Sequence, residues 1–358
     1  MSHRPKRLGA LVAAAAAATL VVTGTVGGAV APAQAAKGPA GAAGWLGNQL
    51  TEGLVYNGQF QFNDYGLTAD VGIALDRLGG QPGKEAAVRK AMARNVESYI
   101  TGVDFGSKDR YAGQTAKALV LAQATGGNPR SFGGVNLVTR LGSLTQSEGT
   151  TAGRIRDRGA SDFSNSIGQS FAARGLSVAR SPKAADAVAF LLKQQCSEGF
   201  FRLGFAPEGK RRQSCDQGDA NLSVPDTDTT ALAVINLSAI GKKSPAVKQA
   251  IADGVGWLRK AQKKDGSFGG GPTTEGSNSN STGLAAWALG ENDACTAAAK
   301  AATWVGKLQQ GRGAIAYDRA AFDAGRDGIG TAEKDQWRRA TAQAAPALVY
   351  RSTAACRG

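Results

Sequence analysis

The chain has a single histidine, His3, and it lies in the N-terminal leader described below. A Ser-His-Asp triad, a Cys-His nucleophile pair and a zinc site with a histidine ligand all need this side chain, so all three are excluded from the rest of the chain. The four cysteines show no C-x-x-C spacing, which gives no support to a redox or zinc motif. Two classes of function remain: a reaction catalysed by carboxyl groups, and ligand binding without catalysis. We expect no metal and no cofactor.

Long apolar runs are missing except near the N-terminus. Basic residues at 4–7 precede an apolar stretch at 8–22, and the small residues 33–35 follow. This order is typical of a secretory signal peptide, and the apolar stretch is short for a membrane span of about 20 residues. We therefore expect a signal peptide at 1–35, a retained anchor being the alternative.

After removal of this leader we expect no transmembrane segment. The predicted mature protein has a short linker at 36–41 and one domain at 42–358, and we expect it to be secreted or held in the cell envelope. Its formal charge falls from +14 to +11 without the three leader cations. A basic exported protein can associate with anionic envelope polymers or lipid headgroups. Nucleic acid is not an expected partner, because export and the scattered positions of the charges argue against it.

Four cysteines in an exported chain suggest two disulfides. Three pairings are possible. We favour the sequential pairing of Cys196 with Cys215 and of Cys295 with Cys356, because each bond then closes a local unit.

One short element recurs six times along the chain. It consists of a polar residue, then Thr or Ser, then a run of small residues and leucine, as in DTDTTALAVINL at 226–237. The copies align on Thr68, Thr115, Ser170, Thr230, Thr282 and Thr341. These segments are apolar or small on nearly all sides, which predicts helices that are buried on most sides.

A second element lies between these copies and combines an aromatic residue, a Gln, a Gly turn and an apolar residue. Examples are GWLRKAQKKDGSFGGG at 256–271 and TWVGKLQQGRGAI at 303–315. Its helical part is amphipathic, as in an outer helix with one solvent-exposed face. We expect Gly266 or Gly313 to end this helix. The alternation predicts an all-α fold, an α6/α6 toroid of six helical hairpins. An open stack would need polar capping repeats, and none is evident.

These features resemble the α/α toroid of terpenoid cyclases and protein prenyltransferases, over residues 42 to about 351. The Gln-aromatic-Gly segments are similar to prenyltransferase/squalene-oxidase repeats, and DTDTTA resembles the class II cyclase acid motif D-x-D-D. The resemblance implies a general acid at Asp228, with Asp226 two residues before it and Thr229 in place of the last aspartate. The prenyltransferase zinc site includes a histidine, which this chain lacks. The barrel of vitamin B12 carriers of the intrinsic-factor type is also similar.

The two aspartates have a simpler interpretation as helix caps. Acidic and hydroxyl side chains before an apolar helix accept the free N–H groups of its first turn. Other copies carry Asn165 and Asn278 at comparable places. Acid catalysis would need a protonated carboxyl, which burial and a neighbouring carboxylate favour. It would also need aromatic residues that stabilise carbocations, and the predicted inner helices offer few: Phe171, Trp287 and Trp337.

In a toroid the starts of the inner helices converge on one mouth. We therefore expect ligand-binding residues among the polar and aromatic side chains near these starts and on the inner helices, namely Asp64, Tyr65, Tyr111, Asn278 and Trp287. The charged segment at 154–163 is predicted to be a solvated loop.

The sequence favours a secreted protein that binds a small or extended, lipid-like ligand in its central cavity without chemistry, a corrinoid being one candidate. A class II cyclase-like enzyme with Asp228 as the acid is the alternative. A glycan-active α6/α6 barrel is a third possibility, because such enzymes use two carboxylates. The motif of a second carboxylate is not recognisable.

Overall fold

Six helices that carry the recurring Thr segments form a ring in the computed structural model, which describes residues 37–217 and 220–356. They are α2 (Tyr65–Leu78), α5 (Ala112–Ala124), α7 (Ser166–Val178), α9 (Thr227–Ser238), α11 (Ser279–Gly290) and α14 (Lys334–Ala344). Each contacts the next in this order, and α14 contacts α2, so the ring is closed. The expectation of a mostly helical, toroidal chain is confirmed.

A second set of helices packs against this ring. It comprises α1 (Pro39–Gly47), α3 (Pro82–Arg94), α6 (Leu137–Ser143), α8 (Ala184–Leu192), α10 (Pro245–Ala261) and α12 (Cys295–Lys307). In α10 the buried residues, such as Val247, Ile251 and Leu258, share one face, while Arg259 and Lys260 are exposed. This is the amphipathic outer helix that the sequence predicts.

The helix count differs from the prediction of twelve. Two short helices, α4 (Val96–Ile100) and α13 (Arg319–Ala324), bring the number in the described residues to fourteen. Five 3-10 helices lie at Val103–Phe105, Cys215–Gln217, Ala220–Leu222, Ala345–Tyr350 and Ala354–Cys356. A small antiparallel sheet of β1 (Leu50–Thr51), β2 (Leu54–Asn57) and β3 (Phe62–Asn63) connects α1 to α2.

The described chain becomes helical close to its N-terminal end. The predicted linker at 36–41 overlaps α1, which begins at Pro39 because proline is favoured in the first turn of a helix. The predicted signal peptide lies outside the described residues. The described part of 35–358 forms one compact unit. No helix in the described ranges has the length and apolarity of a membrane span.

The recurring threonines tie the ring helices to the loops before them. The Thr230 hydroxyl accepts the N–H of Phe201 at 3.0 Å and donates to the carbonyl of Asp226 at 2.7 Å. Equivalent pairs of bonds occur at Thr68, Thr282 and Thr341. In α7 this role belongs to Gln169 rather than to the aligned Ser170, since the Gln169 side chain accepts from Ile155 N–H at 2.9 Å.

The recurring glutamines join successive units. The side-chain amide of Gln262 donates to the carbonyl of Gly266 in its own turn at 3.1 Å and to that of Ala297 in α12 at 2.9 Å. Gln195 bonds in the same way to Gly199 and to Ala250 in α10. The predicted role of Gly266 is corrected: α10 ends at Ala261, and Gly266 lies in the turn beyond it with a φ of 97°.

Both predicted disulfides are present. Cys196 is bonded to Cys215, and Cys295 is bonded to Cys356. The second bond attaches the start of α12 to the C-terminal 3-10 helix, so it fixes the end of the chain to the ring assembly.

Five ring helices, namely α2, α5, α7, α9 and α11, begin at the same end of the ring. The last turn of α14 lies beside the first turn of α11, since Asn280 Nδ2 donates to Gln343 Oε1 at 2.7 Å. A β-carbon on Gly168 of α7 would lie 3.0 Å from the α-carbon of Gly113 in α5, so the first turns of these two helices touch. Lys117 of α5 donates to the carbonyl of Gly66 at the start of α2 at 3.1 Å. A β-carbon on Gly270 would lie 3.1 Å from Ser281 Oγ of α11 and 3.2 Å from Asp228 Oδ2 of α9, so the first turns of these two helices also lie close together. The polar starts of these five helices therefore gather at one rim.

Candidate functional site

The ring encloses a cavity of about 460 Å³, and all six ring helices contribute to its lining. This volume lies within the range of about 300–1,000 Å³ that is usual for small-molecule sites. The larger apolar side chains of the lining are Ile73, Phe163, Ile167, Phe171, Leu232, Ile235, Leu284 and Trp287. Residues from the first turns of their helices, such as Gly66 and Asp228, also line the cavity, so one end of it reaches the rim.

Asp226 is the N-cap of α9. Its Oδ1 accepts the N–H of Thr229 at 2.8 Å, and its side chain is not part of the cavity lining. For this residue the cap interpretation accounts for the side chain.

Asp228 differs from Asp226 although it is only two residues further along. Its carboxyl lines the cavity, and its Oδ1 is buried without a hydrogen-bond partner within the described ranges. Burial raises the pKa of Asp228 from 3.8 to about 6; the neighbouring Ser281 hydroxyl counteracts this shift, and the charge of Asp226 adds to it. A carboxyl in this state retains its proton in mildly acidic solution and can donate it.

A glycine run makes room for both aspartates. A β-carbon on Gly270 would lie 3.2 Å from Asp228 Oδ2, and one on Gly271 would overlap Asp226 Oδ2. The loop before α11 can therefore pass directly beside the two carboxyl groups only with glycine at 271. The GGGP sequence at 269–272 is the sequence signal for this close approach.

Two further carboxyl groups line the cavity, and both have partners. Asp70 forms an ion pair with Lys117 at 2.5 Å. Asp157 accepts the N–H of Ala112 at 2.6 Å through Oδ1 and that of Phe163 at 3.0 Å through Oδ2. Asp157 thereby caps α5 from a distant loop.

The segment at 154–163 is thus not simply a solvated loop. Arg154 and Asp157 are each 7% exposed, and Arg154 is paired with Asp162 at 2.8 Å. The sequence prediction missed this because the partners of Asp157 lie on α5 and on the loop itself, which only the folded ring brings together.

Of the predicted ligand-binding residues, Trp287 is part of the cavity lining. Asp64 caps α2 through the N–H of Leu67 at 2.8 Å and also forms an ion pair with Arg339. The other three lie near helix starts but not in the lining: Tyr65, whose ring is 6.3 Å from that of Tyr99, Tyr111, the N-cap residue of α5, and Asn278, the N-cap of α11.

Several polar residues of the lining were missed by sequence reasoning, among them Arg174 and Asn236. Arg174 on α7 and Asn236 on α9 lie deeper along their helices than Asp228 does, and Asn236 donates to Ser170 Oγ at 2.9 Å. The available signal was a polar side chain inside an otherwise apolar helix, because such a residue needs a partner or a cavity. Trp337, in contrast, is 2% exposed and packs outside the lining.

No protein-family model matches the chain, and no curated protein matches it either. Among solved structures, type II terpene cyclase MstE from Scytonema superposes with a TM-score of 0.60 and 18% identity, covering 88% of this chain and 97% of that one. A protein from Actinoplanes gives 0.57 and 18%, covering 87% and 99%. A glycosidase variant gives 0.53 and 11%, covering 87% and 97%. At these identities the likeness concerns the fold alone, and the closed ring of helices in this chain is similar to the folds of these proteins.

Proposed function

We propose that the chain is a terpene-cyclase-like enzyme in which Asp228 is the general acid. The observation that carries this proposal is the buried, unpartnered Oδ1 of Asp228 in the cavity wall, in the part of the chain that the structure describes, together with a pKa raised to about 6. This proposal takes the place of binding without chemistry as the preferred function. We also propose that the toroid consists of six helical hairpins, with α4 and α13 as additions to them.

The reaction follows from the chemistry of the acid. Asp228 transfers its proton to one carbon of an alkene, and the other alkene carbon becomes a cation. The π electrons of a second double bond in the same molecule attack this cation, so a carbon–carbon bond forms and the positive charge moves on. Loss of a proton to water ends the sequence, and Asp228 regains its proton from solvent. Substrate and product are isomers, and the reaction needs no cofactor.

The lining suits an extended hydrocarbon. The aromatic faces of Phe171 and Trp287 can stabilise a passing positive charge, and the aliphatic residues Leu232, Ile235 and Leu284 exclude water from it. Structures of MstE variants hold geranylgeranyl dihydroxybenzoate, an isoprenoid with a polar end. We propose a linear polyene of this class as the substrate.

The test is incubation in D₂O of the purified chain with geranylgeranyl dihydroxybenzoate and with linear prenyl alcohols, followed by mass spectrometry. We expect a cyclised isomer that carries one deuterium on carbon. Asp228→Asn keeps the side-chain size but cannot act as an acid, so it should abolish conversion while probe binding persists. Asp253→Asn, an exposed position on α10, is the matched control. Equal conversion by Asp228→Asn, or retention of the probes without any conversion, would overturn the proposal.

Binding without chemistry is the second candidate, because Lys117, Arg174 and Asn236 add polar groups to the lining. A polar ligand, with a corrinoid as the example named from sequence, would use these groups. Hydrolysis of a glycan is less well supported. It requires two available carboxyl groups, whereas Asp70 and Asp157 are held by Lys117 and by backbone N–H groups.

A further inference from the structure

A second depression, which we call the seam groove, lies where the last turns of the chain meet the first helix. Its volume is about 760 Å³, and it shares no lining residue with the central cavity. Its walls are the end of α1, the turn after α12, the segment around α13 and the first turns of α14. Neither the proposed reaction nor the ring architecture requires an open groove at this place.

The seam groove is strongly cationic. Its lining includes Lys37, Arg312, Arg326, Lys334 and Arg338. Asp327 is the one acidic residue of the lining, so the net formal charge is +4. A concave surface lined by charges of one sign concentrates the field and attracts counter-ions of the opposite sign.

Few of these cations are neutralised by the protein. Arg326 is paired with Asp323 at 2.6 Å. Lys37, Arg312 and Lys334 form no ion pair and no side-chain hydrogen bond within 37–217 and 220–356. Their charges are therefore available to a ligand.

Arg338 is fixed in position by neutral partners. Its Nε donates to Gln49 Oε1 at 3.2 Å, and its Nη1 donates to the carbonyl of Tyr56 at 2.8 Å. Burial lowers the pKa of Arg338, and the charge of Asp335 acts in the opposite direction. A guanidinium held in this way keeps its charge and presents its remaining N–H groups in a defined direction.

We propose that the seam groove binds a ligand that carries a diphosphate or a similar run of phosphates. A single carboxylate would balance one of the four net charges, whereas a diphosphate brings three to four in a small volume. Arginine and lysine donate charge-assisted hydrogen bonds to phosphate oxygens. Trp45, partly exposed in the same lining, offers an apolar face to the remainder of the ligand.

The first experiment titrates the full chain with inorganic pyrophosphate by calorimetry at two salt concentrations. The double variant Arg312→Gln/Lys334→Gln should weaken binding by about tenfold or more, because two charge-assisted contacts are lost. The control Lys242→Gln/Lys248→Gln removes the same charge from exposed positions outside the groove. We expect the control to change affinity less than about twofold, through long-range charge alone. Equal weakening by both pairs, or no binding of pyrophosphate, would overturn the proposal for a free diphosphate.

The second experiment identifies the source of the phosphate. Vesicles of phosphatidylcholine with a long-chain prenyl diphosphate, and of phosphatidylcholine alone, are sedimented with the wild-type chain and with both variant pairs. Binding that needs the prenyl diphosphate and the groove cations supports a lipid headgroup, and binding of pyrophosphate alone supports a free ligand. If neither probe depends on Arg312 and Lys334 while all variants unfold at the same temperature, the proposal is wrong.

Discussion

Gln309 and Gly38 exchange two hydrogen bonds although they lie 271 residues apart. The N–H of Gly38 donates to Gln309 Oε1 at 2.6 Å, and Gln309 Nε2 donates to the Gly38 carbonyl at 3.0 Å. Gln309 also donates to the carbonyl of Gly313 in its own turn. Because Gln195 and Gln262 bond in the corresponding way to α10 and α12, the ring is closed by the contact that also joins neighbouring units.

Replacing Gln309 with alanine should remove the hydrogen bonds that close the ring at Gly38. The buried N–H of Gly38 and the carbonyl of Gly313 lose the partner that Gln309 provides, while the Gly38 carbonyl still accepts the N–H of Ala42. We therefore expect the free energy of unfolding to fall by about 1–3 kcal/mol. Urea denaturation of Gln309→Ala measures this loss. Gln249→Ala on the exposed face of α10 should change it by less than about 0.5 kcal/mol. Equal losses in the two variants would contradict the assigned role.

The recurring threonines allow a comparison within the fold. Thr282→Val leaves the N–H of Phe268 without an acceptor, and we expect a loss of about 1–3 kcal/mol in the free energy of unfolding. Thr115→Val removes only a hydroxyl that donates to the Tyr111 carbonyl, so its loss should be smaller. Denaturation of the two isosteric variants in parallel checks the difference. If Thr115→Val lowered the free energy of unfolding more than Thr282→Val does, the hydrogen bond to the preceding loop would not be the reason why threonine recurs at these positions.

The raised pKa of Asp228 also affects stability. The folded state holds the proton more tightly than the unfolded state does, so wild-type stability should decrease as pH rises from about 4 through about 6. Asp228→Asn removes this dependence. Its advantage over the wild type should grow across that range, by about 1–3 kcal/mol.

Denaturation at pH 4 and pH 7 measures this change. Asp253→Asn, on the exposed face of α10, should show no comparable trend. A wild-type chain that becomes more stable relative to Asp228→Asn between these pH values would show that the carboxyl is not buried as described.

The proposed reaction has its own pH dependence. Only protonated Asp228 can start the cyclisation, so the conversion rate should be flat below about pH 6 and fall about tenfold per pH unit above it. Initial rates between pH 4 and pH 8 give the profile. A rate that rises through pH 6 would indicate a base instead of an acid.

The two disulfides should differ in their contribution. In the chain-entropy model, a bond that closes a longer loop restricts the unfolded state more. The sequence separations are 19 for Cys196–Cys215 and 61 for Cys295–Cys356. We therefore expect Cys295→Ser/Cys356→Ser to lose about 1 kcal/mol more than Cys196→Ser/Cys215→Ser. Calorimetric unfolding of both double variants tests the order, and the reverse order would point to packing around Cys196 instead.

Local pattern was sufficient to predict much of the fold. The Thr-containing segments are apolar on nearly all sides and became the ring, while the segment with Trp257 has one wet face and became an outer helix. The role of Asp226 as a cap follows from its position before an apolar run. Each of these predictions depends on a few neighbouring residues, which the sequence displays directly.

The residues that line the cavity were harder to predict, because a side chain lines it only if it points towards the inside of the ring. Asp226 and Asp228 are two residues apart, and residues at this spacing do not share a helix face. Only the position of α9 in the ring decides which of the two points inward. The cap that Asp157 provides for α5 bridges 45 residues, and no local pattern announces such a contact.

The Gln309–Gly38 contact implies that the position of the chain ends is incidental to the architecture. If residues 37 and 356 were joined by a linker and the backbone were cut in an exposed turn, such as the one before α10, the same set of unit-to-unit bonds would be available. Circular permutants of this kind should fold to the same barrel, with the chain ends between a different pair of neighbouring units.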